Sequence, residues 1–145
     1  MMDENVIEAR IEEFRRKTAN VDYNINLPDS ELEVMMAVWE AELPVTSRKI
    51  MEVLGDGKGW KIATLISFLV RLEDRGFLMS YKEGKERSYI PVADRELYLA
   101  AVTQRFCERV HAGSFTDMLE SYFFEKNLTE KDIDDLSNWL KSRFE

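Results

Sequence analysis

The run GWKIATLISFLVRLEDRG at residues 59–76 limits what this chain can fold into more than any other stretch. Leu65, Phe68, Leu69 and Leu72 recur at i, i+3, i+4 and i+7, so four bulky apolar groups share one face of a helix and that face must be buried. The opposite side carries Lys61, Thr64, Ser67 and Arg71, bordered by Ala63, Ile66 and Val70, with no carboxylate before Glu73. Cations, hydroxyls and methyls without an anion suit a DNA groove. Directly after Gly76 the period falls from 3.6 to 2: Phe77, Met79 and Tyr81 alternate with Leu78, Ser80 and Lys82. A turn at Glu83-Gly84-Lys85 and a returning run over residues 86–92 complete a hairpin with a basic tip. Helix and then hairpin is the order of a helix-turn-helix with a wing; taken alone, it is equally the order of ordinary core architecture.

The flanking chain decides between them. Ser30-x-x-Glu33 behind Pro28 has the form of a capping box, and Leu32, Met35, Met36 and Trp39 supply the apolar face of the helix it opens. Pro44-Val45 interrupts that pattern with a short extended piece, Thr46 caps the next helix, and Ile50, Val53 and Leu54 are expected inward until Gly55 stops it. Asp56-Gly57-Lys58-Gly59 is then the turn before the central helix, read as residues 60–75. The order is that of a winged helix-turn-helix. Ahead of it, residues 3–17 form a short amphipathic helix with a stripe of Ile7, Ile11 and Phe14, and residues 20–28 are a linker lying against the body. That arm either docks on its own domain or extends a dimer interface.

Beyond the wing, Asp94 caps a helix in which Leu99, Val102, Phe106 and Val110 share a face. A second helix carries Phe115, Leu119, Tyr122 and Phe123, and a third, capped by Thr129, carries Ile133, Leu136, Trp139 and Leu140. Short helices this rich in aromatics bury their faces against a two-fold partner or fold back on the winged helix. The predicted class is mainly α with a small β-hairpin: an N-terminal helix and linker at 1–26, a winged helix-turn-helix at 27–92 and a helical region at 93–145.

Composition narrows the function. At 145 residues, 45% hydrophobic and 33% charged, the chain can close one core with an appendage and is too apolar for disorder. No apolar run approaches the roughly 20 residues that span a bilayer, and Met1-Met2-Asp3-Glu4 has no signal-peptide character, so a soluble cytoplasmic protein is expected with no membrane partner. A single cysteine, Cys107, excludes an internal disulfide and any multi-cysteine metal site. The net charge of −8 opposes DNA at long range, but its distribution matters more. Residues 27–92 hold nine cations against eleven anions, while the acid is heaviest after residue 92. Phosphate contact by local placement is therefore expected to be modest and salt-sensitive.

The residues themselves resemble the BlaI/MecI family of penicillinase and methicillin-resistance repressors. The likeness is carried by Glu31-Leu-Glu-Val-Met-Met-Ala-Val-Trp39, Trp60, Thr64-Leu65, Arg71-Leu72, Arg75-Gly76-Phe77-Leu78 and Ser88-Tyr89. It continues through Ala112-Gly113-Ser114-Phe115 and Leu128-Thr129-x-x-Asp132-Ile-x-x-Leu136, covering about residues 27–142. The resemblance implies a homodimeric repressor on a palindromic double-stranded operator, with the C-terminal helices as the dimer. It also exposes departures. Relatives present more basic and polar groups where this chain has Ala63 and Ile66, which alters the expected sequence preference or weakens binding. The bond matching the family's Asn-Phe cleavage site is Arg105-Phe106, which argues against induction by the usual sensor protease and against assuming β-lactam resistance as the regulated process. The Cys-x-Cys tail of the copper-responsive relatives is absent from the ending Lys141-Ser-Arg-Phe-Glu145.

On this reading Lys61, Thr64, Ser67, Ile66 and Ala63 face base edges and methyls, while Arg71, Arg48, Lys82, Lys85 and Arg87 sit on phosphates. Trp60 packs against the hairpin or offers its N–H to a phosphate. The competing class is a protein-interaction module using the Ala63-Ile66-Val70 edge. Cys107 and His111 stand at i, i+4, but without further ligands they read as a buried thiol beside a surface histidine. Gly55-x-Gly57-x-Gly59 lacks the context of a phosphate loop, and nothing assembles a nucleophile, base and orienter. No enzyme activity, cofactor or metal is expected.

Overall fold

A computed structural model describes residues 5, 8–10, 12, 13, 16 and 20–144, which divide into two compact units, Met1–Val102 and Thr103–Glu145. In the first, α1 (Asp29–Glu40) leads to β1 (Val45–Thr46), α2 (Ser47–Ile50), a π-helical turn (Met51–Gly55) and α3 (Asp56–Lys58). Then come α4 (Ile62–Asp74), β2 (Leu78–Glu83), β3 (Glu86–Pro91) and the start of α5 (Arg95–His111). The antiparallel sheet has the order β1-β3-β2, with Val45 opposite Tyr89 and the hairpin in register from Leu78–Pro91 to Glu83–Glu86. The expected class, mainly α with a small β-hairpin and a winged helix-turn-helix, is the one observed.

Two helix boundaries before α4 differ from expectation. The Ser30/Glu33 capping box does not form: Pro28 is the N-cap, its carbonyl accepts the Leu32 N–H at 2.9 Å, and Ser30 already lies inside the first turn. Glu33 instead accepts a hydrogen bond from Lys58 Nζ at 2.7 Å. The apolar face of α1 is also wider than expected. It packs against both α4 and β3, so Val34 and Val38 are buried with Met35 while Leu32 and Trp39 line the margin. The second helix is not stopped by Gly55 but continues through the π turn to Lys58, where Gly59 closes it in the left-handed region at φ 70°. The wider π turn keeps Leu54 on the core and swings Val53 out, which leaves Val53 66% exposed. Thr46 does cap α2, its hydroxyl accepting the Lys49 N–H.

Helix α4 is the centre of the core. Leu65, Leu69 and Leu72 are fully buried, and Phe68 is partly so. The helix ends in a Schellman motif: Phe77 N–H donates to the Leu72 carbonyl at 2.9 Å and Gly76 N–H to that of Glu73 at 3.0 Å, with Gly76 at φ 80°. That turn drops Phe77 into the core and starts β2 at once. Glu31, the one buried charge among the described residues, pairs with Arg75 Nε at 2.9 Å and so ties α1 to the end of α4.

Val21, Tyr23, Ile25 and Leu27 pack against this core, which keeps the linker on the body. Leu27 N–H donates to the Tyr98 hydroxyl at 3.0 Å, and Asp94 N–H to that of Tyr23 at 2.9 Å. Tyr98, on the first turn of α5, stands between Trp39 and Phe77 at ring separations of 6.0 and 5.4 Å. Asp94 caps α5 through the Leu97 N–H. The described residues from 5 to 16 are helical, whereas the stripe of Ile7, Ile11 and Phe14 lies outside the described residues.

In the second unit the last turns of α5 are followed by α6 (Phe115–Tyr122) and α7 (Glu130–Phe144). Ser114 caps α6 through the Asp117 N–H. Thr129 caps α7 and is capped in return: its hydroxyl accepts the Asp132 N–H, and Asp132 accepts the Thr129 N–H at 2.9 Å. Those donors from Thr129 hold the Asp132 carboxyl below its ordinary range. Neither α6 nor α7 has a buried residue.

Candidate nucleic-acid interface

The outward face of α4 is set by what its inner face must do. With Leu65, Leu69 and Leu72 inside, Ile62, Ala63, Ile66, Ser67, Val70 and Arg71 point to solvent, and Thr64 is half-buried at the edge. Lys61 stands exposed as the N-cap, giving its carbonyl to the N–H groups of Thr64 and Leu65. The helix therefore begins at Ile62, two residues later than expected. Ile62, 50% exposed, belongs to this face and was missed by the sequence reading; its position four residues before Ile66 was the available signal.

Trp60 is half-buried at the approach to α4. Its ring meets Phe68 edge-on at 5.0 Å and packs against the core, fixing the approach to α4. On the wing, Lys82 and Lys85 are exposed, and like Lys61 and Arg71 they engage no carboxylate among the described residues. Arg48 differs, because its guanidinium is paired with Glu86 at the base of the wing turn. Arg87 donates to Ser80 Oγ at 2.9 Å, and Ser80 donates in turn to Glu73 Oε1 at 2.6 Å, which couples the hairpin to the last turn of α4. Burial pushes the neighbouring Tyr89 phenol above its ordinary value, Arg87 opposing and Glu73 adding, so Tyr89 stays neutral. The Arg10 guanidinium lies 4.3 Å from the Tyr81 ring centroid, which sets Arg10 against β2.

The apolar residues expected at a dimer interface fall into two groups. Leu99 and Val102 pack against the core of the first unit. In the second unit Phe106, Val110, Phe115, Tyr122, Leu136, Trp139 and Leu140 are exposed, and Leu119 and Phe123 are half-buried. Phe124, Leu128 and Phe144 are exposed too, and periodicity alone had not selected them. The Arg105-Phe106 bond lies inside α5, with the Phe106 ring against His111 at 5.7 Å. Among the described residues no group of three or more His, Cys, Asp or Glu side chains is arranged to hold a metal, and no helix is long and apolar enough to cross a membrane.

A helix with a cationic and apolar outward face, backed by a wing carrying lysines, places the chain in the winged-helix class. Comparison with known proteins gives the family. Residues 27–142 match the family described as penicillinase repressor. The penicillinase repressor of Bacillus licheniformis is 26% identical over 115 residues, 79% of this chain and 89% of that one. The methicillin resistance regulatory protein MecI of Staphylococcus aureus is 23% identical over 86% of this chain and 98% of its own. Among solved structures, the DNA-binding domain of the repressor BlaI is 30% identical, covering 50% of this chain and 88% of that one at a TM-score of 0.45. The chain belongs to the penicillinase repressor family, a family of DNA-binding transcriptional repressors.

Proposed function

We propose that the chain represses transcription as a homodimer on a palindromic operator. Helix α4 enters the major groove, Lys61, Thr64 and Ser67 meet base edges, and Arg71, Lys82 and Lys85 rest on phosphates. Arg48 and Arg87 hold the wing to α2 and α4 through Glu86 and Ser80, so they position the wing before they touch DNA. The observation that carries the dimer is the uncovered apolar surface of the second unit, where Trp139 is 52% and Phe115 55% exposed. A second copy is the partner with the matching surface. A two-fold pair then spaces its two recognition helices for half-sites about one helical turn, or multiples of 34–36 Å, apart. Repression follows from steric exclusion of polymerase.

Fluorescence anisotropy against duplex selected from random sequence tests this, with a salt titration and unrelated competitor. Operator-selective binding with a steep log–log salt slope is expected. Lys85→Ala should weaken all sequences alike, and Thr64→Ala with Ser67→Ala should change sequence preference. Binding no better than competitor, with no salt slope, overturns the reading in favour of a protein-interaction module.

A further inference from the structure

The outward face of α4 carries more hydrocarbon than a reader of base edges by hydrogen bonding requires. Ile62, Ile66 and Val70 follow at i, i+4 and i+8, and they are 50%, 36% and 49% exposed. One row along the edge of the outward face therefore leaves three branched side chains partly in water, beside the face that buries Leu65, Leu69 and Leu72. Cations bracket this row. Lys61 precedes it, Arg71 follows it, no carboxylate stands between them, and neither engages an acid among the described residues. An apolar strip between two free positive charges complements a groove whose floor offers methyl groups and whose walls are phosphates. In the major groove the thymine C5-methyl is the one apolar group that marks a base pair.

We infer that α4 reads its operator through methyl groups, with Ile62 and Ile66 each seated on a thymine C5-methyl of the half-site. This rests on the DNA-binding reading above and adds the chemistry that selects the sequence. One helical turn separates the two side chains, a rise of about 6 Å. That is close to two base-pair steps of about 3.4 Å, so the two thymines lie at near-neighbouring steps of one half-site. Because recognition helices contact base edges with their N-terminal residues, Val70 lies further along and contributes less. The same contact would accept 5-methylcytosine, which presents its methyl at the same position of the groove.

The experiment starts from the duplex that the full-length chain selects out of random sequence. Each half-site thymine is replaced in turn by deoxyuridine, which removes the methyl and leaves base pairing intact, and affinity is measured for the wild type, Ile62→Ala and Ile66→Ala. Removing a contacted methyl should weaken the wild type about three- to five-fold. Ile66→Ala should lose that penalty at one thymine and Ile62→Ala at another, while each keeps the penalty at its neighbour's position. Both residues are exposed, so thermal melting should match the wild type and verify folding. A selected operator that tolerates deoxyuridine at every thymine overturns the methyl readout and leaves the repressor reading intact. A deoxyuridine penalty that persists in both alanine variants assigns the methyls to other side chains and likewise overturns the inference. Selection of no duplex overturns the DNA reading and the inference together, and assigns the Ile62-Ile66-Val70 row to a protein contact.

Discussion

Glu31 shows how a single side chain can hold elements together. Its side chain is only 3% exposed, and its partner Arg75 sits at the C-cap of α4 with its own chain about a third in water. Removing the cation strands a buried carboxylate, so Arg75→Ala should cost about 2–3 kcal/mol, less than a fully buried pair because water reaches the arginine side. Urea unfolding would measure it, and a cost under about 0.5 kcal/mol would mean the carboxylate is solvated. At the start of α7 the reciprocal Thr129–Asp132 cap is exposed but well formed. Its hydrogen bonds lower the Asp132 carboxyl below its ordinary value of 3.8. The stabilisation is therefore fully present above about pH 4 and fades as the pH falls through the depressed value. Hydrogen exchange at the first amides of α7 should accelerate on acidification beyond the intrinsic rate, and Thr129→Ala should remove that excess while loosening the helix start by about 1 kcal/mol. The Thr129 cap was legible in sequence because its signal is local. The Glu31 pair was not, since Arg75 is 44 residues away.

At the scale of elements, α4 divides its residues by face, and the division can be tested by adjacent substitutions. Leu69→Ala should cost about 3 kcal/mol by emptying part of the core. Its neighbour Val70→Ala should change stability by no more than about 0.5 kcal/mol because it faces water. Equal costs would mean that the helix is rotated from the position described. The end of α4 makes a second claim. An added Cβ on Gly76 meets nothing within 4 Å, so Gly76→Ala should cost only the conformational penalty of φ 80°, about 1–2 kcal/mol. The leucine face of α4 was readable as strict 3.6 periodicity. The π turn was not, because a helix that widens for one turn keeps the composition of an α-helix while moving Val53 outward. Nor was the cap of α1, where Ser30 and Glu33 have the right spacing but Pro28 has already taken the N-cap position.

For the molecule as a whole, the apolar residues that find no cover within the second unit matter most. Leu136, Trp139 and Leu140 are exposed on α7 together with Ile133 and Phe144. If a second copy covers them, Trp139→Glu should shift the chain toward monomer in sedimentation equilibrium and lower operator affinity, while a truncated half-site is bound as before. A wild type that stays monomeric at all concentrations would remove the dimer. The net charge of −8 acts at this same scale. Local phosphate contacts should nevertheless make operator binding weaken as ionic strength rises, and a salt slope of the opposite sign would mean that the global repulsion dominates.

The sequence by itself determined the winged helix. Periodicity changes sharply from 3.6 to 2 at Gly76, and the caps at Thr46, Asp94 and Thr129 are formed by residues within three positions of their partners. Tertiary structure alone decided which cations remain available. Arg48 and Lys58 look like Lys61 and Lys85 in the sequence, yet the fold brings Glu86 and Glu33 to the first two. It alone brought Tyr98 between Trp39 and Phe77, and Glu31 to Arg75. Local order is written in spacing because backbone geometry repeats over a few residues. Pairing across dozens of residues is fixed only when the core has closed.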